Sequence, residues 1–354
     1  MSRFFVTSQN LGFYLLTFNL LLSLVMSFTR IIKDWTLPIS MALGVIGYFA
    51  FRLPLLQPVK PAVISIIPYF LPMLIFAMLF MTYCKIDPKE LKPRPYQLLL
   101  VLFQILATSA IAAGILQTSW DSAGYHEMHI FGLTISHSKA FWEAMMACTI
   151  APMAAVGAVV TAKIGGNPTT ATTYTVISSM VTAVAVPIIY PLVEPGIGMT
   201  FFELFWTILT RVFPTIVFPL LIALFLRAFV PTWHEYFVRT AKDKSFYLWA
   251  ICTVVNVAQI MKIIMTGPAS GIMEIAIVIA AGVLCGIQFA IGKSVGHVFG
   301  DKISAGQSLG QKNTVLSIWI AMSFLAPESA LAPGAYLLWQ NMINSWQIWK
   351  HGRA

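Results

Sequence analysis

The chain has 354 residues, of which 58% are hydrophobic and only 10% charged. A soluble domain carries about 45–50% apolar and about 25% charged residues, so a soluble globular protein, a disordered chain, a disulfide scaffold and a nucleic-acid-binding domain are excluded. The net charge of +9 fits positive cytoplasmic loops of a membrane protein.

A membrane span needs about 20 mostly apolar residues to cross about 30 Å of hydrocarbon. Eleven candidates follow in chain order, at roughly 11–32, 36–56, 61–84, 97–117, 139–163, 168–193, 202–230, 245–266, 271–293, 303–326 and 331–350. The first is read as a retained helix and not a signal peptide. Its apolar stretch is long, Arg3 is the only charge before it, and Arg30 and Lys33 follow. The longest connection, roughly 118–138, is too short for a second folded domain. It carries His126, Glu127, Met128, His129 and His137. That spacing lacks the pair of His four apart that a zinc helix uses, so a solvated loop is predicted, with no metal. Cys84, Cys148, Cys252 and Cys285 all lie in apolar runs and read as buried thiols.

Basic residues set the orientation. With the C-terminal tail inside, the inner connections hold Arg30 and Lys33; Lys85, Lys89, Lys92 and Arg94; Lys163; Arg227, Arg239, Lys242 and Lys244; Lys293 and Lys302. The outside holds Arg3, Arg52, Lys60 and Lys139. The asymmetry predicts an odd number of spans, N-terminus out and C-terminus in. Arg211, Lys262 and Lys312 are left inside apolar segments, and intramembrane charges are functional candidates. No acid or His lies clearly mid-span to serve as a nucleophile's base, so an enzyme is not expected.

Two spans are interrupted. The segment 139–163 contains Ala151-Pro152 and then Gly157, and 303–326 contains Gly306 and Gly310 followed by Gln311-Lys312-Asn313. Pro removes a helix hydrogen bond, and freed backbone at membrane depth is tolerated only where protein or a cavity satisfies it. One interrupted helix in each half points to a secondary transporter built from inverted repeats; kinked but packed helices are the alternative. After the first break, Asn167-Pro168 makes a good helix start. Thr169, Thr170 and Thr175 follow, open to two readings: hydroxyls lining a site, or hydroxyls bonded back to their own helix. Asn256, Gln259 and Lys262 recur every three residues on one helix. They could face a cavity, with Lys262 alternatively snorkelling to the interface.

In order and spacing, several stretches resemble the bile acid:sodium symporter family. They are Phe70-Leu71-Pro72 through Met81 with Lys85-Ile86-Asp87-Pro88; Gln104; Pro152 with Gly166-Asn167 and Pro187; Ile272-Met273-Glu274; Gly310 to Asn313; and Pro333-Gly334-Ala335 with Trp339 and Asn341. The resemblance covers roughly 36–350. It implies an all-α polytopic membrane protein with an inverted five-plus-five helix repeat and two crossed discontinuous helices. Residues 1–35 would add an N-terminal helix. Residues 36–354 would form one transporter unit, with panel helices at about 36–84 and 202–266 and core helices at about 97–193 and 271–350. The implied function is alternating-access transport of a small or amphipathic organic anion. Short connections and no organelle-targeting signal fit a bacterial inner membrane.

Departures from the family pattern cluster at its sodium sites. Gln104 and Thr175 match ligand positions. The family's Glu, however, is Ser308, its Gln is Lys312, its Ser-Asn pair aligns with Gly157-Ala158, and an early Ser of the next helix is Ala171. A charged Lys offers no acceptor, so sodium coupling does not carry over. The expected site comprises Gln104, Asn167, Thr169, Thr170, Thr175, Asn256, Gln259, Ser308, Gln311, Lys312 and Asn313, with no other cofactor. Lys312, about nine residues or roughly 14 Å into its span, would replace the cation. Half-helix carbonyl ends and the side chains of Asn167, Gln104 and Asn313 would hold it, which leaves proton coupling open. Two alternatives remain. An arsenite-type exporter of the same superfamily carries a Cys directly after the Pro, where this chain has Met153. The other is a non-transporting receptor or scaffold on the same fold.

Overall fold

The computed structural model describes residues 36–353 apart from 122–123, 131–132, 196–197 and 268–270. The expected helix at 11–32 lies outside the described residues. Helices dominate: α1 (Thr36–Ala50), α2 (Lys60–Cys84), α3 (Pro95–Gln117), α4 (Lys139–Ile150), α5 (Val156–Lys163), α6 (Pro168–Val193), α7 (Phe201–Phe229), α8 (Pro231–Thr266), α9 (Gly271–Val298), α10 (Lys302–Gly310), α11 (Thr314–Phe324) and α12 (Leu331–His351). Among the described residues, six helices have a stretch long and apolar enough to cross a membrane: α2, α3, α6, α7, α9 and residues 247–266 of α8.

Local chemistry starts and stops these helices. Ser138 accepts from the Phe141 amide to cap α4, and Asn167 accepts from Thr170 to cap α6. Asn313 accepts from Leu316 to cap α11, while Thr200 and Glu203 form a reciprocal box at the start of α7. Pro opens α3, α6 and α8, where its missing N–H costs nothing. Both expected breaks occur, at 151–155 and at 311–313.

Three expectations are corrected. The second span ends at Ala50, giving 15 residues or about 22 Å; Pro54 then opens a 3-10 turn. Residues 231–244, expected as a connection, continue the following span as one 36-residue helix. Pro231 opens this helix, and a stretch beyond the apolar window 247–266 needs no apolar face. The outer connection is not wholly a loop. Strands β1 (Tyr125–Ile130) and β2 (Leu133–Ser138) pair antiparallel, His126 opposite His137 and Ile130 opposite Leu133.

Packing divides the helices into two groups. α8 packs on α1 and α2, and α7 on α2 and α6; α3 to α6 pack with α9 to α12. The connections before α3, α6 and α10 meet at one end of the molecule, where Arg94, Asn167 and Lys302 line a common cleft. Arg227 at the end of α7 bonds the Ile86 carbonyl and the Asp87 carboxylate at that same end. We call it the basic end. At the opposite, hairpin end, Lys139 pairs with Glu194 and Glu143, and Glu143 also accepts from the Ala326 amide.

Candidate functional site

The two breaks cross and pair through their backbones. The Ala154 amide donates to the Gln311 carbonyl at 3.0 Å, and the Asn313 amide to the Pro152 carbonyl at 2.8 Å. Met153 and Lys312 stand opposite each other as an antiparallel bridge. Each of that pair turns its own backbone groups outward. The Met153 amide donates to Ser178 Oγ on α6 at 3.0 Å. The Lys312 amide donates to Gln340 Oε1 on α12 at 2.8 Å, and Gln340 Nε2 donates back to the Lys312 carbonyl at 3.2 Å. Backbone polar groups freed by two breaks at membrane depth are thus satisfied within the protein, as hydrocarbon requires.

The C-terminal end of α4 exposes carbonyls with no helical partner. Four other elements supply donors. Ser317 Oγ reaches the Ala147 carbonyl at 2.8 Å. Gln104 Nε2 and Thr182 Oγ1 both reach Ile150 O, at 2.7 and 2.8 Å. Lys312 Nζ reaches Thr149 O at 3.1 Å and Ala151 O at 3.0 Å. Lys312 is 1% exposed, so its amine has no route to either interface. Carbonyls at a helix C-terminus carry partial negative charge, which makes this a position for a cationic group. Gln104 also places Nε2 3.3 Å from Ala151 O, so both side chains converge on one carbonyl.

The structure sorts the expected site residues. Gln104, Gln311, Lys312 and Asn313 lie at the crossing, and buried Ser308 stands one helical turn before Lys312, its hydroxyl making no hydrogen bond. Gln311 turns its Oε1 toward Asn344, which donates at 2.6 Å. Asn313 is occupied in capping α11, so it does not hold the Lys312 amine. Asn167 lies elsewhere: it caps α6 in the cleft of about 940 Å³ at the basic end, beside Arg94, Tyr96, Asp301 and Lys302. Fifteen residues separate it from Pro152, enough for α5 and a turn to carry it to the membrane surface. Thr175 Oγ1 bonds back to Ala171 O at 3.1 Å, the own-helix reading. Thr170 is buried and Thr169 half-buried, their carbonyls accepting from Gln97 and Thr173. Asn256 and Gln259 sit together on α8, where Asn256 Nδ2 donates to Val315 O at 3.4 Å. Lys262 and Arg211 are exposed.

Sequence reading missed a polar stripe on α12. Tyr336 donates to Gly310 O at 2.8 Å, closing the end of α10. Gln340 holds Lys312, Asn344 holds Gln311, and both Asn344 and Gln347 accept from Gln307. Residues 336, 340, 344 and 347 repeat at helical spacing, so one face of an otherwise apolar span was legible as polar.

No curated relative matches the chain. The model of the sodium bile acid symporter family matches residues 71–267. That range runs from α2 through the first break to the end of α8, and it is more than half of the chain. With six helices able to span a bilayer, the chain is an integral membrane protein of a transporter family, and it belongs to the sodium bile acid symporter family.

Proposed function

We propose that this protein is a secondary transporter of a small or amphipathic organic anion, in which the Lys312 amine takes the place of the family's sodium. The observation that carries the reading is the pair of bonds from Lys312 Nζ to Thr149 O and Ala151 O at the buried crossing. A cation bound there would neutralise the same carbonyl end. The position of the family's Glu is Ser308, so no carboxylate competes for the amine. The matched range ends at 267, before the second break, where these departures stand.

The architecture we propose is the inverted five-plus-five repeat. Its support is the element order: three helices, a broken pair and a helix from α1 to α6, and the same again from α7 to α12. Helices α1, α2, α7 and α8 would form the panel and the rest the core; α8 packs on α1 and α2 and α7 on α2, while α6 and α7 meet where the two would adjoin. Alternating access would come from one moving against the other.

Thermal unfolding in sodium against potassium tests the reading. Wild-type protein melts at the same temperature in both. Ser308→Glu combined with Lys312→Gln restores the family's residue types and gains sodium-specific stabilisation. Lys312→Met leaves the Thr149 carbonyl without its donor and loses about 1–3 kcal/mol. A steep, saturable sodium dependence of the wild type sinks the proposal, as does full stability and activity of Lys312→Met at every pH.

A further inference from the structure

Two carboxylates share one ammonium at the hairpin end. Lys139 opens α4. Its amine pairs with Glu194, just past α6, and lies 3.5 Å from Oε1 of Glu143, one turn further along α4. Lys139 and Glu194 are partly exposed, but the Glu143 side chain is wholly buried. Glu143 Oε2 accepts from the Ala326 amide at 3.0 Å, whereas Oε1 makes no hydrogen bond. Buried polar atoms are nearly always paired, so this oxygen calls for a partner.

The charges do not balance either. With both carboxyls ionised, the cluster carries two negative charges against one positive. Tyr190 of α6 also lies within reach of the Glu143 charge. Of the other elements packed on α4, α3 and α11 carry no charged residue, and α12 carries Lys350 and His351 at the basic end. α9, β2 and the turn 327–330 bring Glu274, His137 and Glu328 to the hairpin end. Among the described residues of these elements, Lys139 is the only ammonium or guanidinium at that end.

One proton settles both counts. On Glu143 Oε1 it cancels the surplus charge and makes an O–H donor, with the Glu194 carboxyl beside it to accept. Lys139 keeps Glu194, the Ala326 amide keeps Glu143 Oε2, and no group is left over. Two carboxylates that meet in one site share a proton for this reason.

We infer that Glu143 and Glu194, with Lys139, form a binding site for one proton, reached from the hairpin side through the partly exposed Glu194. Uptake moves a proton from water to Glu143 Oε1, forms the hydrogen bond to Glu194, and takes the cluster from one negative charge to none. The site joins three helix ends. α4 leads to the first break, Ala326 follows α11 from the second, and Glu194 closes α6. Both half-helices that run from the hairpin end to the crossing are thus tied through a carboxyl whose charge the medium on that side sets. The site stands apart from Lys312 and holds whether or not that amine replaces sodium.

Infrared difference spectra of the full chain in lipid membranes, low pH minus high, test the site. At about pH 6, well above the ordinary Glu value of about 4.3, the wild type shows the C=O stretch of a protonated carboxylic acid, and raising the pH removes it. Glu143→Gln abolishes the band. Glu194→Gln, at a partly exposed position, leaves Glu143 with Lys139 to itself; Glu143 then stays ionised and the band at that pH is lost. Lys139→Met removes the competing positive charge, so the band persists to higher pH than in the wild type. These two variants decide the matter if Glu143→Gln does not fold. Melting follows the same proton: the native state binds it where the unfolded chain does not, so the wild type melts higher at about pH 6 than at about pH 8, and Glu143→Gln lessens that difference. A wild type without the band, or a band unchanged in both Glu143→Gln and Glu194→Gln, overturns the proton site and leaves an ion-pair cluster.

Discussion

Gly157 yields its side-chain space to Gln311. A Cβ at position 157 would stand 2.9 Å from Gln311 Cγ and 2.5 Å from Met153 Cε. The volume a side chain would occupy at 157 is taken up here by residues of the two breaks. Gly157→Ser is therefore expected to lose about 1–3 kcal/mol by overpacking, and Gln311→Ala in the same chain to return part of it. Thermal unfolding in detergent measures both.

Gln340 is a second pairing partner for the Lys312 backbone, donating to its carbonyl and accepting from its amide. Gln340→Leu leaves the buried Lys312 amide unpaired, while the Lys312 carbonyl keeps the Thr314 amide, and a loss of about 1–3 kcal/mol is expected. Gln340→Glu keeps the acceptor and loses the donor, so it should fall between. A leucine variant as stable as the wild type would show that the second break needs no support from α12.

Asp87 reports on the basic end. The Lys89 amide and then the Arg227 guanidinium hold its carboxyl below the usual carboxylate range. A lowered folded pKa contributes stability above the unfolded value of about 3.9, and that contribution is lost as pH falls through the folded value. Both side chains are partly exposed, so the effect is small. Asp87→Asn should leave melting at pH 7 nearly unchanged and flatten the decline below about pH 4.

The shared cleft fixes which connections lie on one side. Impermeant thiol reagents should label Lys302→Cys and Glu90→Cys from the same face of the membrane, and Glu328→Cys from the other. The excess of Lys and Arg assigns the first face to the cytoplasm. Labelling of Lys302→Cys and Glu90→Cys from opposite faces would overturn this topology.

Both breaks were legible because Pro152 and the polar run 311–313 cannot sit in a lipid-facing helix. The acceptors of Lys312 were legible in kind, as half-helix carbonyls, but not in identity. Sequence proximity to the break drew in Asn167, which α5 and the turn after it carry away, and Asn313, whose side chain its own helix claims. The inner part of α8 was hidden because a charged run reads the same whether it is a loop or a helix standing in water. The hairpin was hidden in a stretch with few apolar residues. Gln340 was in plain view, but Trp339 and Asn341 on either side of it drew the eye to other faces of the same helix.

The two breaks are joined to each other by main-chain atoms. Peptide groups are the same whatever side chain they carry, so the two bonds from Ala154 to Gln311 and from Asn313 to Pro152 survive a change of side chain at 308 or 312; a change at 312 acts instead on the carbonyl end of α4. A substitution at either position therefore leaves the joint's own hydrogen bonds in place. In this chain the side-chain donors to the α4 carbonyl end and the joint between the breaks are written in different atoms, and one is free to change while the other persists.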